Sequence, residues 1–240
     1  MNTDICSIIA SYIIEEKYEI LEWINKKRLH IHLLPLNKNA VYYLEKDHLN
    51  YIDWSKLSGN KNAMHLLINN IDKINWNLLS FNSNAINILS QHKDKINWSN
   101  ISLNPNAISL IRENLNKIDW DLLSFNKNAI ELLKEYPNKI SWYNLSLNKN
   151  AIELLKQNQE KINWDYISMN TNAIDILKEN EDKINWKILS SNKNALEILR
   201  KNPDKIDYFN LSKNKGLFIK KLNKDIYNKV SNVLSIILND

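Results

Sequence analysis

The chain has 240 residues, 44% apolar and 25% charged, with a formal net charge of +5, a composition that supports a folded core and excludes a disordered or collagenous chain. Two glycines and four prolines are too few for a sheet-rich protein with many tight turns, which predicts an all-α fold. The single cysteine, Cys6, excludes an internal disulfide and offers no thiolate cluster for a metal.

No stretch approaches the ~18 consecutive apolar residues of a membrane span, and Asp4, Glu15, Glu16 and Lys17 interrupt the first apolar run. The expectation is an intracellular protein without a membrane segment. Lysine, asparagine and isoleucine dominate; these are residues favoured by A- and T-rich codons, so part of the basic excess needs no partner to explain it.

Ile5, Ile8, Ile9, Tyr12 and Ile13 fall on one stripe, predicting a helix over 3–16 with Thr3 or Asp4 as N-cap. Tyr18 to Lys27 places Ile20, Leu21, Trp23 and Ile24 opposite Glu19, Glu22, Asn25 and Lys26, which predicts a second helix. Together the two would form a helical-hairpin cap over 1–28.

From there tryptophan sets the period. Trp54, Trp76, Trp98, Trp120, Trp142, Trp164 and Trp186 stand 22 residues apart, Tyr208 takes the next position, and Ile31 holds it one unit earlier, giving nine units over 29–215. A period this regular marks a solenoid whose units bury their apolar faces only by stacking. Each unit reads as two helices. The first begins at Trp behind a capping residue (Asp53, Asn75, Asn97, Asp119, Ser141, Asn163, Asn185 or Asp207), spans one to two turns and closes at a recurrent serine such as Ser124.

The second helix is expected to start behind Asn60, Asn82, Asn104, Asn126, Asn148, Asn170 or Asn192 as N-cap, with Pro105 at N1, and to run for about nine residues. Nine stacked units predict a right-handed superhelical α-solenoid roughly 80 Å long, at about 8–10 Å per helix layer. Beyond Tyr208 the pattern decays, and Leu217 to Leu238 predicts C-terminal capping helices over 216–240 with Ile219, Leu222, Ile226, Val230, Val233, Leu234 and Ile237 buried.

The tryptophans, the Leu or Ile three residues on, and the Ala-Ile-x-Leu-Leu run are expected to be core. The paired asparagines, such as Asn126 with Asn128, are best explained by capping and by satisfying loop amides between units. Lys73, Lys95, Lys117, Lys139, Lys161, Lys183 and Lys205 form a column that is a candidate anion-binding stripe. The simpler expectation is that each lysine lies over a neighbouring tryptophan and pairs with adjacent carboxylates.

The residue five after each Trp, including Phe81, Leu103, Phe125, Leu147 and Met169, forms a candidate protein-binding surface if it faces outward. The sequence favours placing it in the core. Nucleic acid is disfavoured as a partner because the exposed second-helix position reads His65, Asn87, Ser109, Glu131, Glu153, Asp175 and Glu197, and arginine occurs only at Arg28, Arg112 and Arg200. No histidine or acid recurs beside the serines, no glycine-rich phosphate loop exists, and His30 with His32 lacks a third ligand. The reading is a monomeric non-enzyme without cofactor or metal.

The recurring Lys-Ile-Asn/Asp-Trp-x-x-Leu-Ser-x-Asn-x-Asn-Ala-Ile-x-Leu-Leu, over about residues 18–215, resembles a repeat abundant in uncharacterised proteins of giant nucleocytoplasmic DNA viruses such as mimiviruses. Leu21-Glu22-Trp23-Ile24 followed by Arg28-Leu29-His30-Ile31 is similar to the leader of those repeats. This chain keeps the family's usual proline only at Pro105, with Lys, Ser or Thr elsewhere. The resemblance implies a viral origin and brings no catalytic residues. The expected function is a scaffold that binds a host or virion protein; the alternatives are a structural strut in the virion and a polyanion-binding rod that uses the lysine column.

Overall fold

A computed structural model describes residues 18–218. The expected helix over 3–16 and the expected capping helices beyond 218 lie outside them. Among the described residues every regular element is helical, and short helices follow one another in a fixed order with contacts between neighbours, so the protein is an α-solenoid. The chain divides into two compact units, Met1–Ser141 and Trp142–Asp240.

In the first unit the tryptophan helices are Trp54–Ser58, Trp76–Phe81, Trp98–Ser102 and Trp120–Phe125, each packed on the next. The 3₁₀ helix Ile31–Leu36 takes the place of such a helix in front of Trp54. The capping residues act as expected: Asp53, Asn75, Asn97 and Asp119 have extended backbone, and each side chain accepts a hydrogen bond from the amide three residues on. Second helices follow at Met64–Ile68, Ile86–Gln91, Ile108–Arg112 and Ile130–Glu135, and 3₁₀ turns at Ile71–Lys73, Lys93–Lys95 and Pro137–Lys139.

The second unit repeats the scheme with Trp142–Leu145, Trp164–Met169, Trp186–Leu189 and Tyr208–Leu211, second helices Ile152–Lys156, Ile174–Glu179 and Leu196–Lys201, and 3₁₀ turns Gln159–Lys161, Glu181–Lys183 and Pro203–Lys205. From Trp54 to Lys205 a repeat therefore contains three helical pieces where two were expected, except the repeat of Trp98, which has two. The second helix is five or six residues long, not nine.

The difference lies in Asn-x-Asn-Ala. Asn104 does not cap the second helix; its carbonyl accepts from Ala107 N at 3.1 Å, closing a turn in which Pro105 follows Asn104, and the helix begins after Ala107, which has no side-chain cap. The same holds at Ala63, Ala85, Ala129, Ala151, Ala173 and Ala195. A second difference lies at Tyr18–Lys27, expected as a helix. It has no regular structure up to a turn at 22–23 and the 3₁₀ turn Lys26–Arg28, and Trp23 is 79% exposed.

Besides the isoleucine two before Trp, buried at Ile52, Ile74 and Ile96, the core of the first unit has three contributors in each repeat. They are the leucine or isoleucine three after Trp (Leu57, Leu79, Ile101, Leu123), the alanine that ends the turn, and a pair of adjacent aliphatics on the second helix. Leu66 with Leu67, Ile88 with Leu89, Leu110 with Ile111, and Leu132 with Leu133 form these pairs, all buried. In the second unit Leu145, Ile167 and Leu189 are buried together with Leu154, Leu155, Ile176, Leu177, Ile198 and Leu199 in the same pattern.

The tryptophans, expected in the core, are only half-buried. Each stands at the first position of a helix of four to six residues, at the rim of its layer.

Two polar ladders join the layers. From Ser58 to Ser190 each recurrent serine donates its Oγ hydrogen to the Trp carbonyl four residues back and accepts from the N–H of the next repeat's capping residue; for Ser80 these distances are 2.7 Å to Trp76 and 3.0 Å from Asn97. Within each unit the first asparagine of Asn-x-Asn reaches back one repeat. Asn104 Nδ2 donates to the carbonyls of Ser80 and Asn82, both at 3.0 Å, while its Oδ1 accepts from Asn106 N at 3.1 Å. Asn82, Asn126, Asn170, Asn192 and Asn214 make the same paired donation. The second asparagine, as in Asn106 to Ser83 O at 2.9 Å, adds one further bond between layers.

Asp53 gives a test of the capping geometry. Its Oδ1 accepts from Lys56 N at 3.0 Å, its other oxygen bonds the Lys56 ammonium, and these bonds hold its carboxyl below the usual range. A lowered pKa stabilises the fold above the unfolded-state value, and that contribution is lost as pH falls through the folded-state value. Asp53→Ala is expected to cost about 1 kcal/mol at neutral pH and less at acid pH, read from urea denaturation at both.

Candidate functional site

The turns between the two helices of a repeat hold one position that serves neither the ladders nor the buried core at Phe81, Phe125 and Met169, and these turns form the outer edge of the repeats. The residue five after each Trp sits between the ladder serine and the ladder asparagine. Ser80 and Asn82 are turned inward and buried, so Phe81 between them is directed outward and is 55% exposed. Phe125 is 37% exposed and Met169 49%, while Leu103 and Leu147 are half-buried. The expectation that this column completes the core is therefore overturned at Phe81, Phe125 and Met169, which face solvent because their two neighbours occupy the inward directions.

The column also carries a longer regularity that comparing single repeats does not reveal. Phe81, Phe125 and Met169 are 44 residues apart, and each ends a six-residue tryptophan helix, Trp76–Phe81, Trp120–Phe125 and Trp164–Met169. The helices of the intervening repeats, with Gly59, Leu103, Leu147 and Ser191 at this position, have four or five residues. The period is two repeats, and comparing every second copy of the sequence is the signal that finds it.

The lysine column is placed over the tryptophans. Lys73, Lys117, Lys161, Lys183 and Lys205 hold their ammonium groups 4.7, 5.1, 4.8, 4.9 and 4.5 Å from the ring centroids of Trp54, Trp98, Trp142, Trp164 and Trp186. In the repeats of Lys95 and Lys139 the residue three before the lysine is histidine or tyrosine instead of asparagine, and that ring meets the indole: His92 lies 5.1 Å from Trp76, and Tyr136 5.1 Å from Trp120. Where asparagine is present it steadies the lysine, as in Lys73 to Asn70 Oδ1 at 3.0 Å and Lys183 to Asn180 Oδ1 at 3.1 Å. Carboxylates contribute less, with Lys95 3.7 Å from Asp94 and Lys161 3.9 Å from Glu160.

The exposed face of the second helices carries Glu131, Glu153, Asp175 and Glu197. Arg112 grips Glu135 of the next repeat through two hydrogen bonds of 2.8 and 2.6 Å, which raise the guanidinium's pKa and lower the carboxyl's. Exposed pairs of this kind contribute little to stability. The rings of His30 and His32 meet edge to face at 5.5 Å, and no group of three His, Cys, Asp or Glu residues is placed to hold a metal among the described residues. No helix among them is long and apolar enough to cross a membrane.

In the second unit the outer edge is concave. The turns at 169–171, 191–193 and 213–215 border a shallow groove of about 240 Å³ lined by Met169, Thr171, Ser191, Lys193, Lys213 and Lys215. No family model, curated protein or solved structure matches the chain.

Proposed function

We propose that the protein is a non-catalytic scaffold that binds another protein through the outer edge of its repeats. The observation that carries this reading is the exposure of Phe81 and Phe125 in the first unit and of Met169 in the second, at positions where the ladders leave the side chain no role in the stack. Large apolar side chains recurring on one edge are suited to docking. The polyanion alternative draws less support, since five of the seven column lysines are engaged with tryptophan faces. The resemblance of the repeats to those of giant DNA viruses makes a host or virion protein the partner to seek.

The test compares the wild-type chain with Phe81→Ser/Phe125→Ser and with Met169→Ser, each checked for unchanged helical circular dichroism. Burying one such side chain contributes about 1.5–3 kcal/mol, so a partner captured from infected cells or virions should bind either variant at least about tenfold more weakly. A partner held equally by all three proteins would overturn the reading.

A further inference from the structure

We propose that the groove of the second unit binds an extended acidic peptide segment. The proposal rests on the scaffold reading and specifies the chemistry of its partner. Three lysines, Lys193, Lys213 and Lys215, line the groove, and among the described residues no acidic residue does. None of the three forms an ion pair among the described residues. Lys213 is held with its ammonium 4.0 Å from the Phe209 ring centroid, so part of its ordering cost is met before a ligand arrives. Met169 supplies an apolar wall, and the hydroxyls of Thr171 and Ser191 offer acceptors to a peptide backbone.

The spacing also suits a peptide. Lys193 and Lys215 occupy the same position in successive repeats, 22 residues apart, and stacked helical layers lie about 8–10 Å apart. An extended chain of the polyproline-II kind advances about 3.1 Å per residue with three residues per turn, so carboxylates at every third residue fall on one face and keep step with the lysines. Nucleic acid is a poorer fit, because among the described residues no aromatic ring and no arginine lines the groove.

The experiment measures fluorescence anisotropy of a labelled nonapeptide with Glu at every third position and Leu beside it, titrated with the full chain at low salt. The expected result is saturable binding that weakens as salt rises, falls at least about tenfold in Lys193→Glu/Lys215→Glu, falls several-fold in Met169→Ser, and is unchanged in Phe81→Ser/Phe125→Ser. Lys193→Gln/Lys215→Gln provides a milder pair should charge reversal disturb folding. No saturable binding, equal binding by the lysine variants, or equal binding of the Gln-substituted peptide or of a thymidine oligonucleotide would overturn the proposal. If the peptide fails while capture through Phe81 and Phe125 persists, the groove assignment falls and the scaffold reading stands.

Discussion

Asn104→Ala is expected to destabilise the protein by about 3–5 kcal/mol, more than its small volume suggests. The side chain is fully buried, and its loss removes both Nδ2 donations to Ser80 and Asn82 and the Oδ1 acceptance from Asn106. Each buried group left without its partner costs about 1–3 kcal/mol. Asn106→Ala in the same turn is the control. Asn106 is exposed and loses one layer-to-layer bond, so it should cost about 1 kcal/mol. Urea denaturation followed by circular dichroism separates the two, and equal costs would show that the buried ladder adds nothing beyond an ordinary turn.

The ladder also marks the limit of what is legible in the sequence. The period, the helical class and the capping role of Asp53, Asn75 and their equivalents are legible because each depends on residues close in the chain. The role of Asn104 is not, since asparagine before an apolar helical run looks like an N-cap, whereas its partners lie 22 and 24 residues back. The direction of Phe81 is hidden for the same reason: it follows from Ser80 and Asn82 both turning inward. The tryptophans look like core because a regular aromatic column usually is, yet their positions at helix starts leave a face for Lys73 or Lys183 to cover. Of the candidate site, the apolar column follows from the repeat alone, while the concavity of the second unit depends on how three turns lie side by side.

Leu89→Ala should cost about 2–5 kcal/mol, the range for deleting a fully buried leucine whose cavity cannot collapse, since Leu89 is 0% exposed. The more informative result is where the damage goes. In a stack held by nearest-neighbour contacts, stability is the sum of repeat and interface contributions, so the loss should be local. Amide exchange is expected to quicken in Ile86–Gln91 and in the adjoining layers Trp76–Phe81 and Trp98–Ser102, with a smaller change in Trp120–Phe125 two repeats on. Uniform acceleration across the first unit would instead identify it as a single cooperative block, in which the serine and asparagine ladders couple layers more strongly than the apolar core does.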